Sequence, residues 1–351
     1  MNKKLAKSRR AFLRNLAFGG VAFALTRVLR ASDNNIGQTV LLPEPIQVSL
    51  MPQPDAPTWQ VAFSPVSGRM ATAAGEVGKS DNGDIGYIKL YINSSQYPED
   101  FQIYWETDGD ITEIFRLAWS PSEKALAFTA FSGSTTTKTG EWWLYVLDVV
   151  SGTVRKVLKI GELNQGQEQK LVDIPEQMGM AWFGENKVCL TKTDQSIIAV
   201  DINEGHIETL TPALPQNCYI CGPVSISYQK LRFLKRRRLS GGGWENEVCE
   251  FNGSEIISLG TIPLIGDAEL SLGGKHAFIG SETNDNFYVI FDLSQMASVN
   301  ELPRVAKGGT YMHVYRPVTV LEGKQLILLE SIVEVSTIPR FAPGRIVSTR
   351  L

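Results

Sequence analysis

The chain has few of the residues that most enzymes use for chemistry. Among its 351 residues are three histidines, His206, His276 and His313, and four cysteines. The histidines lie far apart with no metal-ligand spacing. No Gly-x-Ser-x-Gly elbow, His-Glu-x-x-His helix, P-loop or Gly-x-Gly-x-x-Gly turn occurs. The local signatures of serine hydrolases, zincins, NTPases and dinucleotide-binding enzymes are therefore missing. Long runs of one residue type are also absent, which excludes a low-complexity body.

What is present is a globular composition. Apolar residues make up 43% and charged residues 20%, enough for a sizeable core in one large all-β domain or two ordinary ones. The charge is unevenly placed. The first 31 residues hold eight basic side chains and no acidic one, and the remainder carries 26 basic against 37 acidic, a net −11. That balance weighs against general nucleic-acid binding, which needs positive charge on phosphates. One basic run, Lys235-Arg236-Arg237-Arg238, follows Phe233-Leu234. It reads as a strand end entering a loop, a solvated edge more than a patch for an anionic partner.

Residues 1–31 read as an address and not as part of the fold. A basic front precedes an apolar stretch from about Leu16 to Leu25, followed by small residues. This is the order of an export signal, and the stretch falls short of the ~20 apolar residues of a spanning helix. Within it, Ser8-Arg9-Arg10-Ala11-Phe12-Leu13-Arg14 resembles the twin-arginine (Tat) motif Ser-Arg-Arg-x-Phe-Leu-Lys, with Ser8, Arg9, Arg10, Phe12 and Leu13 at the matching positions. The resemblance implies recognition by the Tat translocase, passage across the cytoplasmic membrane in folded form, and a periplasmic or extracytoplasmic location. Cleavage is best placed after Ala31; an uncleaved segment would tether the protein to the membrane.

The rest of the chain repeats. "VAFSPVSGRMATAA" starts at Val61, "LAWSPSEKALAFTA" at Leu117 and "MAWFGENKVCLTKT" at Met180. "VSISYQKLRFLKRR" starts at Val224, "AELSLGGKHAFIGS" at Ala268 and "VTVLEGKQLILLES" at Val318. Each is an apolar strand, a polar turn and a second strand. Taking Phe63, Trp119, Trp182, Ile226, Leu270 and Val320 as equivalent, the spacings are 56, 63, 44, 44 and 50 residues, close to the ~40–50 of a four-stranded propeller blade. The longer early spacings are assigned to turn-rich insertions at 75–86 and 132–140. A third apolar run follows each of the first five hairpins, as in "WWLYVLD" from Trp142, and Asp148 and Asp201 begin turns ending in Gly152 and Gly205. Runs such as Trp143–Leu147 do not alternate cleanly, so both faces of each sheet need cover, which stacked sheets in a closed ring provide.

The Trp-Ser-Pro hairpin with "LYVLDVVSGTVRKV" resembles the repeats of TolB and WD40-like β-propellers. The expected architecture is an all-β propeller of six four-stranded blades, with seven as the alternative count, behind a helical export signal. Residues 1–31 form the signal, 32–57 a linker with a strand that could complete the last blade, and 58–351 the propeller. A pair of β-sandwiches is the competing fold. Trp119 is expected to be a packing residue rather than a ligand-stacking one.

Other candidates are weak. Cys218-Tyr-Ile-Cys221 is a paired-cysteine feature, either a redox pair, half of a disulfide set with Cys189 and Cys249, or free thiols. Ser227-Tyr-Gln-Lys230 matches Ser-x-x-Lys but sits in a turn without companion motifs. Ser80–Asp84 is oxygen-rich but lacks the downstream bidentate Glu of a calcium loop. No cofactor can be named. TolB-like propellers are interaction platforms, so the resemblance implies a binding scaffold for a protein, peptide or glycan. The alternative is a propeller enzyme, a sugar-active hydrolase or lyase or a cofactor-dependent dehydrogenase, working at the channel mouth. A propeller serving a larger enzyme is not expected, because no hydrolase domain follows the sixth unit.

Overall fold

The computed structural model describes residues 48–50, 54, 58–64, 66–80, 83–94, 99–107, 109–134, 137–171, 180–227, 229–264, 266–271, 273–281 and 287–303. It also describes the strand backbones within 306–350, all in one unit, Ile46–Leu351. These residues contain no helix; every regular element is a β-strand.

The chain begins with β1 (Val48–Leu50) and then builds one meandering sheet after another. The first blade is β2 (Thr58–Phe63), β3 (Met70–Ser80), β4 (Gly83–Asn93) and β5 (Phe101–Glu106). The second is β6 (Ile111–Trp119), β7 (Ala125–Ser134), β8 (Thr139–Asp148) and β9 (Val154–Asn164), extended by a short fifth strand, β10 (Gln167–Lys170). The third is β11 (Ala181–Trp182), β12 (Lys187–Thr191), β13 (Ile197–Asp201) and β14 (Ile207–Thr209). The fourth is β15 (Cys218–Ser227), β16 (Lys230–Arg238), β17 (Trp244–Phe251) and β18 (Ile256–Ile262). The fifth is β19 (Gly266–Leu270), β20 (His276–Ser281), β21 (Phe287–Asp292) and β22 (Ala297–Pro303). A last sheet holds β23 (Ala306–Lys307), β24 (Tyr311–Leu321), β25 (Gln325–Glu334) and β26 (Arg345–Arg350), and β1 pairs with β26, Ser49 opposite Ser348. First strands neighbour one another in succession, and β24 lies beside β2. This is an all-β propeller.

The first five repeated hairpins of the sequence fall on the first two strands of their sheets, and the sixth on β24 and β25. The turn chemistry explains why. Ser64, Ser120 and Ser271 are buried where the first strand ends. Their hydroxyls accept from the backbone N–H groups of Val66, Ala125 and His276 at 3.0–3.1 Å, satisfying donors that leave the ladder. At the turn after the third strand, Asp148, Asp201, Asn252 and Asp292 each accept from the N–H groups two and three residues on. These are Asx turns, the reason Asp or Asn recurs there.

Packing follows the need for cover on both faces. In β8, Trp142, Leu144 and Val146 pack with Trp182, Val188 and Ile198 of the third blade, while Tyr145 and Leu147 pack with Ile88, Leu90 and Ile92 of the first. Two further cores fill the spaces between blades three and four and between four and five. Burying one such side chain contributes about 1.5–3 kcal/mol, and no sheet could do so alone.

Two expectations need correction. Residues 75–86 and 132–140 are not turn-rich insertions; most of both segments extends the β3–β4 and β7–β8 hairpins. Glycine permits this crossing. A side-chain carbon on Gly75 (φ +153°) would sit 2.1 Å from the Tyr87 carbonyl, and one on Gly133 would sit 2.4 Å from Gly140 Cα. The basic run Lys235–Arg238 is, as expected, a strand end, the last four residues of β16 before the turn at 239–243, but it is not a sheet edge. It continues β16, paired along its length with β17, where Glu245 and Glu247 face Arg237 and Lys235. Carboxylates on the next strand make a basic run compatible with the middle of a sheet.

Candidate functional site

Trp119 and Trp182, the aromatics that open the repeat, are packing residues. Both are buried, and each indole N–H donates to the preceding blade: Trp182 to Ala118 O at 2.8 Å, Trp119 to Ala62 O at 3.3 Å. Their rings are core, so the chemistry must lie elsewhere.

The first feature is inside the channel. Arg116 on β6 and Glu269 on β19 approach to 3.3 Å, with side chains 19% and 27% exposed. These are first strands of the second and fifth blades, with two blades between them, so the pair spans the channel and not the seam between neighbours. A break in register between Ile114 and Arg116 marks a bulge at this point of β6, a common device for re-aiming a side chain. Cys221 lies close enough to feel both charges. Burial pushes its thiol up to about 11, opposed by the nearby Arg236 and Arg116. The Cys221 sulfur contacts Ala268 O at 2.9 Å, and the thiol is the donor. Such a thiol is a structural hydrophobe, not a nucleophile.

The second feature is on the fourth blade, at the end carrying the turn between its second and third strands. Tyr219 pairs with Arg236, and Arg238 with Trp244. Register partners and residues two apart share a face, so these four side chains lie on one side. Cys221, also on that side, belongs to the core shared with the fifth blade. Trp244 stands edge-on to Tyr219 with centroids 5.4 Å apart, and the guanidinium groups of Arg236 and Arg238 lie 4.6 Å and 5.9 Å from its ring centre. Tyr219 is 40% exposed and Arg236 is buried. Around them the cations are matched by acids: Arg232 with Glu250 at 3.0 Å, Lys235 with Glu247 at 3.0 Å, Arg237 with Glu245 at 2.6 Å. Hydrogen bonds from Ser258 and Lys235 hold the Glu247 carboxyl below its usual range. Arg238 is exposed and makes no ion pair among the described residues; its cross-strand neighbour is the indole. Beside it the hairpin Ser240-Gly241-Gly242-Gly243 leaves open space at Gly241 and Gly242.

The expected site residues are placed as follows. Ser8, Arg9, Arg10, Phe12 and Leu13 lie outside the described residues. Cys218 and Cys221 both sit on β15 in unbroken register, three residues apart. They therefore face opposite sides, with Cα atoms about 10 Å apart at ~3.3 Å per residue. All four cysteines are free and buried; burial raises the Cys249 thiol to about 11. His206 is exposed beside β14, and His276 is buried at the start of β20 with its Nδ1 unpartnered. The side chain of His313, on β24, lies outside the described residues. No group of three His, Cys, Asp or Glu that could hold a metal occurs among the described residues. Ser227 and Lys230 pair across a tight turn, both exposed. Ser80 pairs with Gly83, and Asp81 and Asn82 lie outside the described residues. The channel pair and the Trp244 cluster were not foreseen. Only the alternation of Glu245-Asn246-Glu247 opposite Lys235-Arg236-Arg237 could have hinted at the second.

No family model and no curated protein matches the sequence. Solved structures share the fold. The oligogalacturonate lyase of Vibrio parahaemolyticus superposes with TM-score 0.52 at 7% identity, over 87% of this chain and 97% of that one. The α-L-arabinanase of Penicillium chrysogenum does so with TM-score 0.50 at 10% identity, over 88% and 97%. TolB of Acinetobacter baumannii is similar with TM-score 0.46 at 15% identity over 81% of this chain, which spans 63% of the length of that protein. The class is thus a β-propeller whose structural neighbours include an arabinanase and a lyase.

Proposed function

We propose that this chain is an exported β-propeller acting as a binding scaffold in the bacterial cell envelope. It takes a protein, peptide or glycan on the face that carries Tyr219, Trp244 and Arg238. In this reading residues 1–31 direct export through the Tat translocase. The strands β24 to β26 with β1 complete a sixth blade that closes the ring. Either cleavage after Ala31 or retention of the segment leaves the propeller outside the cytoplasmic membrane.

The observation that carries the binding role is Arg238. Arg232, Lys235 and Arg237 of its strand each meet a carboxylate, whereas Arg238 stands exposed beside an aromatic pair. A guanidinium with no ion pair among the described residues, next to Trp and Tyr, is the composition of a contact surface, since Arg, Trp and Tyr dominate interface energetics. Two experiments test the proposal. Replacing Arg9 and Arg10 by Lys should hold the full-length chain in the cytoplasm. Crosslinking in the intact envelope should give a discrete adduct that Trp244→Ala removes. An adduct unchanged by Trp244→Ala, or turnover lost with Arg116→Met, would favour the channel-mouth enzyme.

A further inference from the structure

We infer that the Tyr219–Trp244–Arg238 cluster of the fourth blade is a site for a carboxylated glycan, a chain of uronate-type sugars. This rests on the reading of that face as the contact face and names its ligand. Three features of the cluster select the chemistry.

The first is the orthogonal pair of rings. Tyr219 and Trp244 meet edge to face at 86°, so Trp244 braces Tyr219, whose 40% exposure leaves ring surface to stack on the C–H face of a pyranose. The second is Arg238. A guanidinium that is exposed and has no acid partner among the described residues presents planar donors that match a carboxylate in a two-pronged contact. Arg236, buried against the indole at 4.6 Å, adds positive potential behind the ring and fixes its plane. The third is the hairpin at 240–243, where Gly241 and Gly242 leave room for a bulky chain to lie close to backbone.

The alternatives fit less well. Nucleic acid carries one charge per ~1.7 Å, and the chain beyond residue 31, at net −11, repels such a density. A sugar acid carries one charge per ring. An acidic peptide is the nearer competitor, since arginines read acidic motifs and Tyr219 lies on the edge strand β15, but it brings no flat C–H face to stack on the Tyr219 ring.

The test uses the full chain and a β-1,4-linked oligoglucuronate tetramer, with its methyl ester as the uncharged control, followed by calorimetry and tryptophan fluorescence. The acid should bind and the ester should bind about 10–100-fold more weakly, the value of a charge-assisted contact. Arg238→Gln should lose the same factor for the acid and almost nothing for the ester. Tyr219→Ala should weaken both. Arg238 and Tyr219 are exposed, so these variants should unfold at the parent denaturant midpoint. Equal binding of acid and ester, or acid binding unaffected by Arg238→Gln, overturns the inference. So does tighter, Arg238-dependent binding of a poly-glutamate peptide or a single-stranded oligonucleotide. If the envelope adduct depends on Trp244 while no glucuronate binds, the scaffold survives and the glycan assignment alone fails. If the adduct is absent and the glucuronate binds through Arg238, the reverse holds.

Discussion

The indole N–H of Trp182 donates to the carbonyl of Ala118 at 2.8 Å, and the residue after Ala118 is Trp119, whose own indole donates to Ala62 at 3.3 Å. Each tryptophan thus ties its blade to the one before, through the residue preceding the equivalent position. Trp182→Phe keeps the ring and removes the donor. It should cost about 1–3 kcal/mol, the value of leaving a buried acceptor unsatisfied. Trp119→Phe, with the longer bond, should cost less. Urea unfolding with unchanged m-value checks both, and an unshifted Trp182→Phe midpoint would contradict the tie.

Leu144 is fully buried between the second and third blades. Leu144→Ala should destabilise by about 2–5 kcal/mol. Val150, 83% exposed in the turn after β8, should tolerate Ala within about 0.5 kcal/mol. A blade stable on its own would blunt the difference between the two.

Arg116 and Glu269 should be energetically coupled although 153 positions separate them. A double-mutant cycle of Arg116→Met and Glu269→Gln should return about 1 kcal/mol, in the range for residues in contact and partly screened. Strictly additive effects would show that the channel pair contributes no stability.

His276 should make stability depend on pH. Burial, the largest cause, holds its imidazole below the ordinary value; Asp292 pulls the other way. The fold therefore favours the neutral ring. Its contribution is fully present above the unfolded-state value near 6.5 and is lost as pH falls from there through the folded value. Unfolding midpoints should fall between pH 7.5 and 5.5 in the parent and less in His276→Asn. Parallel slopes in the two proteins would rule out His276 as the source.

The thiols should be inert in the native state. With Cys221 and Cys249 near 11, about one thiol in a thousand is ionised at pH 8, and the thiolate is the reactive form. Native protein should react negligibly with a thiol reagent, and denatured protein should release four equivalents without prior reduction. Two or fewer equivalents would reveal a disulfide.

The repeat made much of the fold legible. The hairpins at Val61, Leu117, Met180, Val224, Ala268 and Val318 all fall on paired strands, because a sheet covered on both faces must write apolar residues at both phases of its alternation. Asp148 and Asp201 marked turns correctly, since Asx turns are local chemistry. What pairs across distance stayed hidden. Arg116 carries no sign of Glu269, and the fifth strand β10 has the polar sequence Gln-Glu-Gln-Lys, indistinguishable from a loop. The basic run does mark a strand end, but not a solvated edge: charge in sequence implies solvent, whereas here register supplies the acids. The Trp244 cluster emerges only when β15, β16 and β17 are aligned, as none of its spacings is repeated elsewhere.

The antiparallel match of Val48–Leu50 with Arg345–Arg350 has a consequence for biogenesis. Of the described strands β1 leaves the ribosome before the others and must wait for β26, so blades can form in order during synthesis while the clasp stays open until β26 emerges. A pause or premature stop before β26 would leave β1 without its mate and one sheet edge bare, a species that quality-control proteases could distinguish from the finished product.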